Sequence, residues 1–312
     1  MPRTHSLDGE TIHREWNNAI APRIEIDPGD TVHFETRDAS NRHFTPTSTP
    51  EDVLNRGPFV GHPLTGPVLV KGARPGDTLT VEILEVRSSL GWGWTQIRPG
   101  RGLLPEEDFP KPFLQIWDLA DGKVAHMGHG VRVPIEAFPG VMGVALDEPG
   151  AHSTMPPRRS GGNMDIKQLT AGSTLYLPVL VDGALFSTGD AHAAQGDGEV
   201  CITAIEMSAH VTLRFGLERG RRIAEPRFRT SGPVGVGTNR GPHFVTTAHG
   251  PDLFRNSQQA VRYMIEHLVE TRGLSREQAY VVCSVAVDLR ISEIVDAPNW
   301  IVSAFLPESI FA

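Results

Sequence analysis

A Pro-Gly-Asp turn between two alternating runs occurs twice early in the sequence, and it does most to limit the folds open to this chain. Residues 23–38 read RIEIDPGDTVHFETRD, and residues 68–86 read VLVKGARPGDTLTVEILEV. Apolar and polar positions alternate on both sides of each turn, which is the pattern of half-buried strands. Proline fixes φ, glycine accepts a positive φ, and aspartate caps the bend. We therefore predict strands joined by these turns.

A looser third copy of the turn supports a β-rich fold. Residues 170–179 read TAGSTLYLPV, with small residues before another alternating run. The 312 residues include 32 glycines and 25 prolines spread along the chain, which is typical of many short strands joined by turns. We predict a mainly β fold, with a β-sandwich or barrel-like catalytic region over residues 1–210. Asp30 and Asp77 are interpreted as turn residues and not as ligands.

The last hundred residues change character, because two helices are predicted there. Residues 252–273 place apolar side chains at helical spacing and end at Gly273, a typical C-cap. Ser275, with Gln278 three residues later, forms a capping-box pattern at the start of a second helix. Residues 211–312 are therefore predicted to form an α+β region that covers the sheet or makes an oligomer contact.

Composition excludes several classes of partner and of chemistry. A net charge of -8 offers no basic surface for phosphates, so we expect no nucleic acid. No run approaches the about 18 apolar residues of a membrane span, and the first thirty residues lack the apolar segment of a signal peptide. We predict a cytoplasmic protein with no membrane partner. Cys201 and Cys283 lie in apolar runs and are interpreted as buried residues, not as a disulfide or a nucleophile.

Three polar stretches rich in glycine or proline interrupt the strand-like runs, at residues 39–67, 91–115 and 146–165. We interpret the first as too irregular for regular secondary structure and as long for a connection inside a compact domain. Long ordered loops often carry functional residues. We therefore expect these stretches to frame the functional site.

Side chains able to bind a metal concentrate in two glycine-rich segments, GGNMD at 161–165 and STGDAHAAQGDGEV at 187–200. A strand-like run joins the two segments, so they can meet at one end of a sheet. Asp190 and His192 are two residues apart, and in an extended backbone their side chains leave on the same face. The candidate residues in these segments are Asp165, Asp190, His192, Asp197 and Glu199.

Histidine and carboxylate ligands around one open position are the usual arrangement of a catalytic zinc ion. Such an ion activates water and polarises a carbonyl, as hydrolysis of an unreactive amide requires. We assign Asp165, Asp190 and His192 as ligand candidates. Glu199 is a candidate for either a ligand or the general base.

Some of these residues have a second interpretation. His192 can instead be a loop histidine that hydrogen-bonds to a neighbouring aspartate, and Asp197 can be a turn residue in QGDGE. Asp38 closes the strand HFETRD, where it either caps its loop or reaches the same site. Spacing alone leaves these alternatives open.

Four blocks of the sequence resemble the acetamidase/formamidase family. They are PGDTVHFETRDA, GPVLVKGARPGDTLTVEI, GGNMDIKQLTAGSTLYLPV and GALFSTGDAHAAQGDGEV, and SREQAYVVCSVAVDLRISEIVD extends the similarity towards the C-terminus. The resemblance implies hydrolysis of short aliphatic amides with release of ammonia. It further implies a divalent metal, most often zinc, a β-rich fold with a C-terminal α+β part, and a homo-oligomer such as a dimer or tetramer.

The resemblance also suggests roles for residues inside the matching blocks. It implies catalytic roles for Asp38, Asn163 and Glu199, and metal ligation by Asp165, Asp190, His192 and Glu199. A small amide is thus the expected substrate.

Departures from the family pattern concern substrate shape. Ala191 stands in GDAH where family members often carry glycine, and Ser160 precedes GGNMD where some relatives place histidine or cysteine. The stretch from Asn41 to Pro67 and the Trp92/Trp94 pair lie outside the blocks that carry the resemblance, and such loops set substrate shape. A lactam or a larger amide is therefore an alternative substrate. A non-catalytic amide- or sugar-binding β-sandwich is an alternative function, whereas a serine hydrolase would need a GxSxG elbow that the sequence lacks.

Overall fold

Two large sheets form most of the chain. A computed structural model describes residues 1–232 and 241–311. One sheet has six strands in the order β1 (Thr4–Leu7), β4 (Thr31–Thr36), β17 (Ala209–Glu218), β6 (Thr78–Ser88), β14 (Thr174–Pro178) and β18 (Arg227–Arg229). All neighbours in this sheet are antiparallel except β1 and β4.

The second sheet has ten strands and branches at β15. Its main path is β10 (Val131–Pro134), β9 (Val124–Gly128), β8 (Phe113–Asp118), β7 (Trp92–Ile97), β16 (Glu206–Met207), β15 (Phe186–His192), β11 (Phe138–Gly143) and β13 (Gly161–Asn163). The branch consists of β5 (Leu64–Val70), which pairs with β15, and β3 (Ile24–Ile26), which pairs with β5. A separate small pair joins β2 (Glu15–Trp16) to β12 (His152–Ser153).

The two large sheets share one apolar core, which confirms the predicted β-rich, sandwich-like class. Phe34 on β4 and Phe215 on β17 come from the six-stranded sheet, and Phe186 on β15 comes from the ten-stranded sheet. The ring of Phe186 lies 6.2 Å from that of Phe34 and 5.1 Å from that of Phe215. Each buried aromatic side chain contributes about 1.5–3 kcal/mol to this packing.

The two Pro-Gly-Asp turns are present as predicted. Asp30 accepts hydrogen bonds from the backbone N–H of Arg3 and Asp27, and Asp77 accepts from those of Arg74 and Gly220. The strands on either side of each turn do not pair with each other, however. Each turn carries the chain from the ten-stranded sheet to the six-stranded sheet, from β3 to β4 and from β5 to β6.

The predicted C-terminal helices are also present. Helix α2 (Leu253–Arg272) begins at the N-cap Asp252 and ends at Gly273, which has a φ of 64°. Helix α3 (Arg276–Ala286) begins with the capping box of Ser275 and Gln278. The antiparallel strands β19 (His243–Gly250), β21 (Trp300–Pro307) and β20 (Asp288–Glu293) form a three-stranded sheet beside them, followed by a 3-10 turn at Glu308–Ile310.

The division of the chain at residue 210 remains a prediction. Strand β17 runs through that position, and β18 still pairs with β14 in the six-stranded sheet. In the described residues the C-terminal α+β unit therefore begins at β19.

Regular structure occurs in all three polar stretches, including β12 and β13 within 146–165, so the interpretation of the first as too irregular was wrong. Helix α1 (Pro50–Asn55) and the first residues of β5 lie within 39–67, and β7 and the start of β8 lie within 91–115. The N–H of Thr49 donates to the Asp52 carboxylate at the start of α1. Such a short helix carries too little apolar periodicity to be recognised in the sequence. Among the described helices, none is long and apolar enough to cross a lipid bilayer.

Candidate active site

A cluster of ionisable side chains surrounds the imidazole of His192 at the end of β15. The Nε2 atom of His192 lies 3.6 Å from Oδ1 of Asp190 and 3.3 Å from Oε2 of Glu206. On the other side of the ring, Nδ1 lies 3.9 Å from Oδ1 of Asp165. We refer to Asp165, Asp190, His192, Glu199 and Glu206 as the acid–histidine cluster.

Strand pairing brings the members of this cluster together. Asp190 and His192 lie on β15, and in the antiparallel pairing with β16 Glu206 is the direct partner of His192. The segment after β13 approaches the same point because the backbone N–H groups of Met164 and Asp165 both donate to the carbonyl of Gly140. The predicted convergence of the two glycine-rich segments is therefore observed.

Three members of the cluster approach the backbone of β11 so closely at position 140 that only glycine fits there. A methyl group at this position would lie 2.6 Å from Oδ1 of Asp165 and 2.7 Å from Cε1 of His192. It would also lie 2.8 Å from the backbone oxygen of Asp190. Only glycine leaves room for three cluster members at this crossing of strands.

Three of the acidic residues have left-handed backbone conformations. The φ angles are 48° at Asp165, 53° at Asp190 and 43° at Glu199. This conformation is uncommon for residues other than glycine and costs free energy, and it concentrates at functional sites. The bend at Asp190 also means that Asp190 and His192 do not reach the site by regular strand alternation.

Helix α3 supports the segment that carries Glu199. The hydroxyl of Tyr280 donates to the carbonyl of Val200, and the hydroxyl of Ser284 accepts from the N–H of Cys201 at 3.0 Å. The backbone oxygen of Ser284 also accepts from the N–H of Gly196. The C-terminal helices therefore hold this segment of the active site as well as covering the sheet.

Several buried polar atoms of the cluster have no hydrogen-bond partner among the described residues. They are Oδ1 of Asp165, Oδ1 of Asp190, Nε2 of His192 and Oε2 of Glu206. Buried polar atoms are nearly always satisfied, so four orphans around one ring form a group that could hold a cation or a ligand. Two sets have the spacing of a metal site, namely Asp190, His192 and Glu206, and Asp165, His192 and Glu199.

The charges of the cluster shift one another's pKa values. Burial raises the pKa of Glu206 to about 8 and that of Asp165 to about 7, and burial together with Asp165 raises the pKa of Glu199. Burial alone would raise the pKa of Asp190, but His62 and His192 lower it overall. Burial alone would lower the pKa of His192, but Glu206 and Asp190 raise it. The cluster therefore holds protons near neutral pH when no cation is bound.

The cluster forms the floor of a cavity of about 500 Å³. Its walls include the apolar side chains of Phe59, Met155 and Ile202 and the polar side chain of Asn163. The Nδ2 group of Asn163 donates to the carbonyl of Met155 at 3.1 Å, while its Oδ1 atom is buried without a partner among the described residues. Asn163 is thus positioned to accept a hydrogen bond from a molecule in the cavity.

Asp38 does not line the cavity. Its carboxylate accepts hydrogen bonds from the N–H groups of Ser40 and Arg42, from the indole of Trp94 and from the hydroxyl of Ser208. These contacts correspond to the loop-capping alternative. The catalytic role of Asp38 remains a prediction without a supporting contact.

Asp197 also lies away from the acid–histidine cluster. It belongs to a second group of charges, which we call the lysine cluster and in which Lys167 and Asp288 are buried, Asp197 is half-buried and Arg290 is exposed. The two cysteines are free and buried, as predicted, and burial raises the pKa of Cys201 to about 11. Neither thiol is therefore a ready nucleophile.

Three residues of the site were missed by the sequence analysis. Glu206 follows the apolar run CITAI, His62 and Arg56 lie in the stretch interpreted as irregular, and all three line the cavity. The Nε2 atom of His62 lies 3.6 Å from Oδ2 of Asp190. A single glutamate ending an apolar run was the available signal for Glu206, because a buried acid requires a partner.

The sequence matches the Acetamidase/Formamidase family over residues 2–149 and 146–312. The chain belongs to this family. Formamidase of Methylophilus methylotrophus is 30% identical to it, with 97% of this chain and 90% of that relative covered. The membership makes the chain a hydrolase of carbon–nitrogen bonds other than peptide bonds in linear amides, as predicted, and favours this over the non-catalytic alternative.

Solved structures of related proteins have the same fold. The gamma lactamase from Delftia acidovorans has a TM-score of 0.90 and 29% identity, with 99% of this chain and 93% of that one covered. The acetamidase from Bacillus halodurans has a TM-score of 0.69 and 32% identity, with 96% of each chain covered. The family fold thus extends over almost the whole of this chain.

Proposed function

We propose that the chain is a metal-dependent amidohydrolase that cleaves a small linear carboxamide, such as formamide or acetamide, to a carboxylate and ammonia. One observation carries this proposal. The atoms Asp190 Oδ1, His192 Nε2 and Glu206 Oε2 are buried close together, and no described group donates a hydrogen bond to any of them. Burying three such acceptors together is unfavourable unless a cation or a proton lies among them. Zinc fits this mixture of nitrogen and oxygen ligands best.

We assign the ligand atoms from the hydrogen bonds around His192. The Nε2 group of Gln195 donates to the backbone oxygen of Asp165, so its Oε1 atom faces Nδ1 of His192 at 3.1 Å. Nδ1 then carries the proton, and Nε2 offers its lone pair between Asp190 and Glu206. This set keeps Asp190 and His192 from the sequence-based prediction and adds Glu206. A bound zinc ion polarises a carbonyl oxygen and lowers the pKa of water towards neutrality.

Glu199 and Asp165, on the other side of the imidazole, are assigned to proton transfer. With its pKa at about 7, Asp165 can gain and lose a proton near neutral pH, and burial together with Asp165 raises the pKa of Glu199. Glu199 accepts a proton from the attacking water and delivers it to the leaving nitrogen. Asn163 orients the substrate, because its free Oδ1 atom can accept an N–H of the carboxamide. Ligation by Asp165 and Glu199, as predicted from the sequence, is the alternative assignment.

A cyclic amide is the second candidate substrate. The observation that favours it is the higher TM-score with the gamma lactamase, 0.90 against 0.69 with the acetamidase. Opening a lactam breaks the same type of bond but releases no ammonia. A panel of linear and cyclic amides, with ammonia and ring-opened acid measured separately, distinguishes the two candidates.

We also propose a homo-oligomer, either a dimer or a tetramer, and retain the cytoplasmic location inferred from the sequence. Exposed apolar side chains in the C-terminal region, such as Phe254, Ile291 and Val295, support a contact between subunits there. The mass in solution, measured by light scattering, tests the assembly.

Metal analysis combined with an amide panel tests the proposed mechanism. The purified protein is expected to hold a divalent metal, to release ammonia from small amides, and to lose this activity after chelation until zinc is restored. A protein that holds no divalent metal and hydrolyses amides equally well with chelator would rule out the metal mechanism while leaving amide hydrolysis intact.

A further inference from the structure

Three arginines line the active-site cavity without a carboxylate partner. Arg56, Arg98 and Arg101 all contribute to its walls. Within the described part of the chain, none of them lies within 4.0 Å of an acidic oxygen, although the cavity floor is rich in carboxylates. An arginine near acids normally pairs with one of them. Arg56 donates one N–H to the carbonyl of Ala39, and no described carboxylate pairs with any of the three guanidinium groups, so their remaining N–H donors are open to a molecule in the cavity.

The positive charge extends from the floor of the cavity towards solvent. Arg56 is half-buried, with its guanidinium 5.8 Å from the centre of the Trp94 ring, and it feels the charges of Glu206 and Asp190 as well as that of Arg98. Arg98 is half-buried and donates one of its N–H groups to the carbonyl of Gly57 at 3.1 Å. Arg56 thus lies in reach of both the acid–histidine cluster and the outer arginine.

Arg98 and Arg101 are presented by one tight turn after β7. The backbone N–H of Arg101 donates to the carbonyl of Arg98 at 3.0 Å, which holds the two residues on the same turn. Arg101 is exposed, and no described residue makes a hydrogen bond or ion pair with its side chain. Two arginines on one turn, both lining the cavity and both with N–H donors to spare, offer charge-assisted hydrogen bonds to a carboxylate.

The cavity is much larger than the smallest amides. A volume of about 500 Å³ is in the range of sites for molecules larger than formamide or acetamide, since one water molecule occupies about 30 Å³ of liquid. Apolar walls from Phe59, Met155 and Ile202 suit a short hydrocarbon chain. The cavity thus combines a reactive floor, an apolar middle and a cationic wall.

We infer that the preferred substrate is a carboxamide that also bears a carboxylate, of the class of monoamides of short dicarboxylic acids. The inference rests on the proposed amide hydrolysis and specifies its substrate. The carboxylate binds at Arg98 and Arg101, and the amide group reaches the acid–histidine cluster. Water adds its oxygen to the amide carbon, the carbon–nitrogen bond breaks, and both protons of the water leave with the nitrogen as ammonium. The organic product is a dicarboxylate.

Matched substrates test this inference. Succinamate and butyramide differ chiefly in the terminal carboxylate, so the ratio of their kcat/KM values measures its recognition. We expect a ratio of at least about ten in favour of succinamate, because hydrogen bonds to charged groups are stronger than hydrogen bonds between neutral groups. The R98Q/R101Q double variant should reduce this ratio about ten-fold or more, through a higher KM for succinamate. R87Q, which removes an arginine outside the cavity, is the matched control and should preserve the ratio.

Binding without turnover separates this inference from the proposed function. Calorimetry should detect glutarate binding to the metal-loaded wild-type protein more tightly than pentanoate binding, and the double variant should lose that difference. If the wild-type protein binds glutarate more tightly than pentanoate and the double variant does not, but no amide releases ammonia, then the proposed function fails and the anion site stands. Two results would overturn the inference while amide hydrolysis stands. One is a ratio of kcat/KM values near one for succinamate and butyramide, and the other is a high ratio that the R98Q/R101Q variant leaves unchanged.

Discussion

The acid–histidine cluster and the lysine cluster share two segments of the chain, residues 165–167 and 190–199, but differ in how their charges are satisfied. In the lysine cluster, the ammonium of Lys167 contacts the carboxylate of Asp288, which also accepts the N–H of Asp197 at 3.0 Å. Arg290 reaches the other oxygen of Asp288 at 3.3 Å. In the acid–histidine cluster, by contrast, four buried atoms have no partner among the described residues.

This difference separates a structural role from a catalytic one. The lysine cluster joins the segments before and after β15 to β20, and its buried charges neutralise one another. The acid–histidine cluster carries an excess of acceptors that only a proton, a cation or a substrate can satisfy. Asp190 and Asp197 are close together in the sequence, but because their surroundings differ we propose a catalytic role for Asp190 and a structural role for Asp197. We expect substitutions in the two clusters to separate activity from stability.

The largest effect is expected from His192→Ala in the acid–histidine cluster. Removing the imidazole takes away the nitrogen ligand, and even the outer partners of metal ligands contribute 10–100-fold to affinity or activity. We expect metal affinity and the rate of ammonia release to fall by more than about 100-fold, measured by metal titration and an ammonia assay. The circular dichroism spectrum should remain that of the wild type.

Asp77→Ala is the matched control for this prediction. It removes a carboxylate that holds a turn, with hydrogen bonds from the N–H groups of Arg74 and Gly220, and it lies outside the cavity. We expect a loss of about 1.5–3 kcal/mol in the free energy of unfolding with full metal content. If His192→Ala kept its metal while Asp77→Ala lost it, the assignment of the metal site would be wrong.

The second effect concerns Lys167→Met in the lysine cluster. The side chains of Lys167 and Asp288 are 4% and 5% exposed, so the substitution leaves a buried carboxylate without its main partner. Breaking a buried ion pair in this way costs about 3–5 kcal/mol, and Arg290 reduces the loss towards the lower figure. Urea unfolding measures the change, while the metal content of the folded variant should be unaffected.

Two further variants check the cause of that loss. Lys167→Met combined with Asp288→Asn removes the unpaired charge but keeps an acceptor for the N–H of Asp197, so it should recover at least half of the stability. Arg214→Met breaks an exposed ion pair with Glu82 and should cost less than about 1 kcal/mol. Equal effects of Lys167→Met and Arg214→Met would mean that the lysine cluster does not stabilise the fold.

The sequence predicted local structure better than the arrangement of the strands. Caps at Gly273 and Ser275 were recognisable because a cap depends on residues within one helical turn. The Pro-Gly-Asp turns were recognised for the same reason. That each turn passes between sheets could not be inferred, because it depends on distant partners such as the parallel pairing of β3 with β5.

The site was predicted where its residues lie close together in the sequence. Asp165, Asp190, His192 and Glu199 all reach the cavity or its floor, as two neighbouring segments allow. Glu206 enters only through the pairing of β16 with β15, so spacing along the chain gives no direct indication of its position. Asp197, within the same acidic run, faces the lysine cluster instead, because the backbone turns between it and Glu199.

The smallest effect is a dependence of stability on pH that should distinguish the two clusters in the metal-free protein. The folded-state pKa is about 8 for Glu206 and about 7 for Asp165, and the pKa values of Glu199 and His192 are raised as well. The folded state therefore binds more protons than the unfolded state, and stability falls as pH rises between about 4.5 and 8. Asp190 has a lowered pKa, and its stabilising contribution is lost only at acidic pH.

Bound zinc replaces these protons, so the metal-loaded protein should lose less stability over the same range. Thermal unfolding of both forms at pH 5, 6, 7 and 8 measures this. The melting temperatures of the metal-free and metal-loaded protein should separate by several degrees as pH rises, since 1 kcal/mol corresponds to about 2–4 °C in a domain of this size class.

Two controls support this comparison. Histidines outside the site, such as His13 and His267, titrate in both forms, so their contributions cancel in the difference. Glu206→Gln should flatten the metal-free curve because it removes one of the titrating carboxyl groups. Parallel curves for the two forms would show that the acid–histidine cluster does not exchange protons for a cation, and its contrast with the lysine cluster would then have no electrostatic basis.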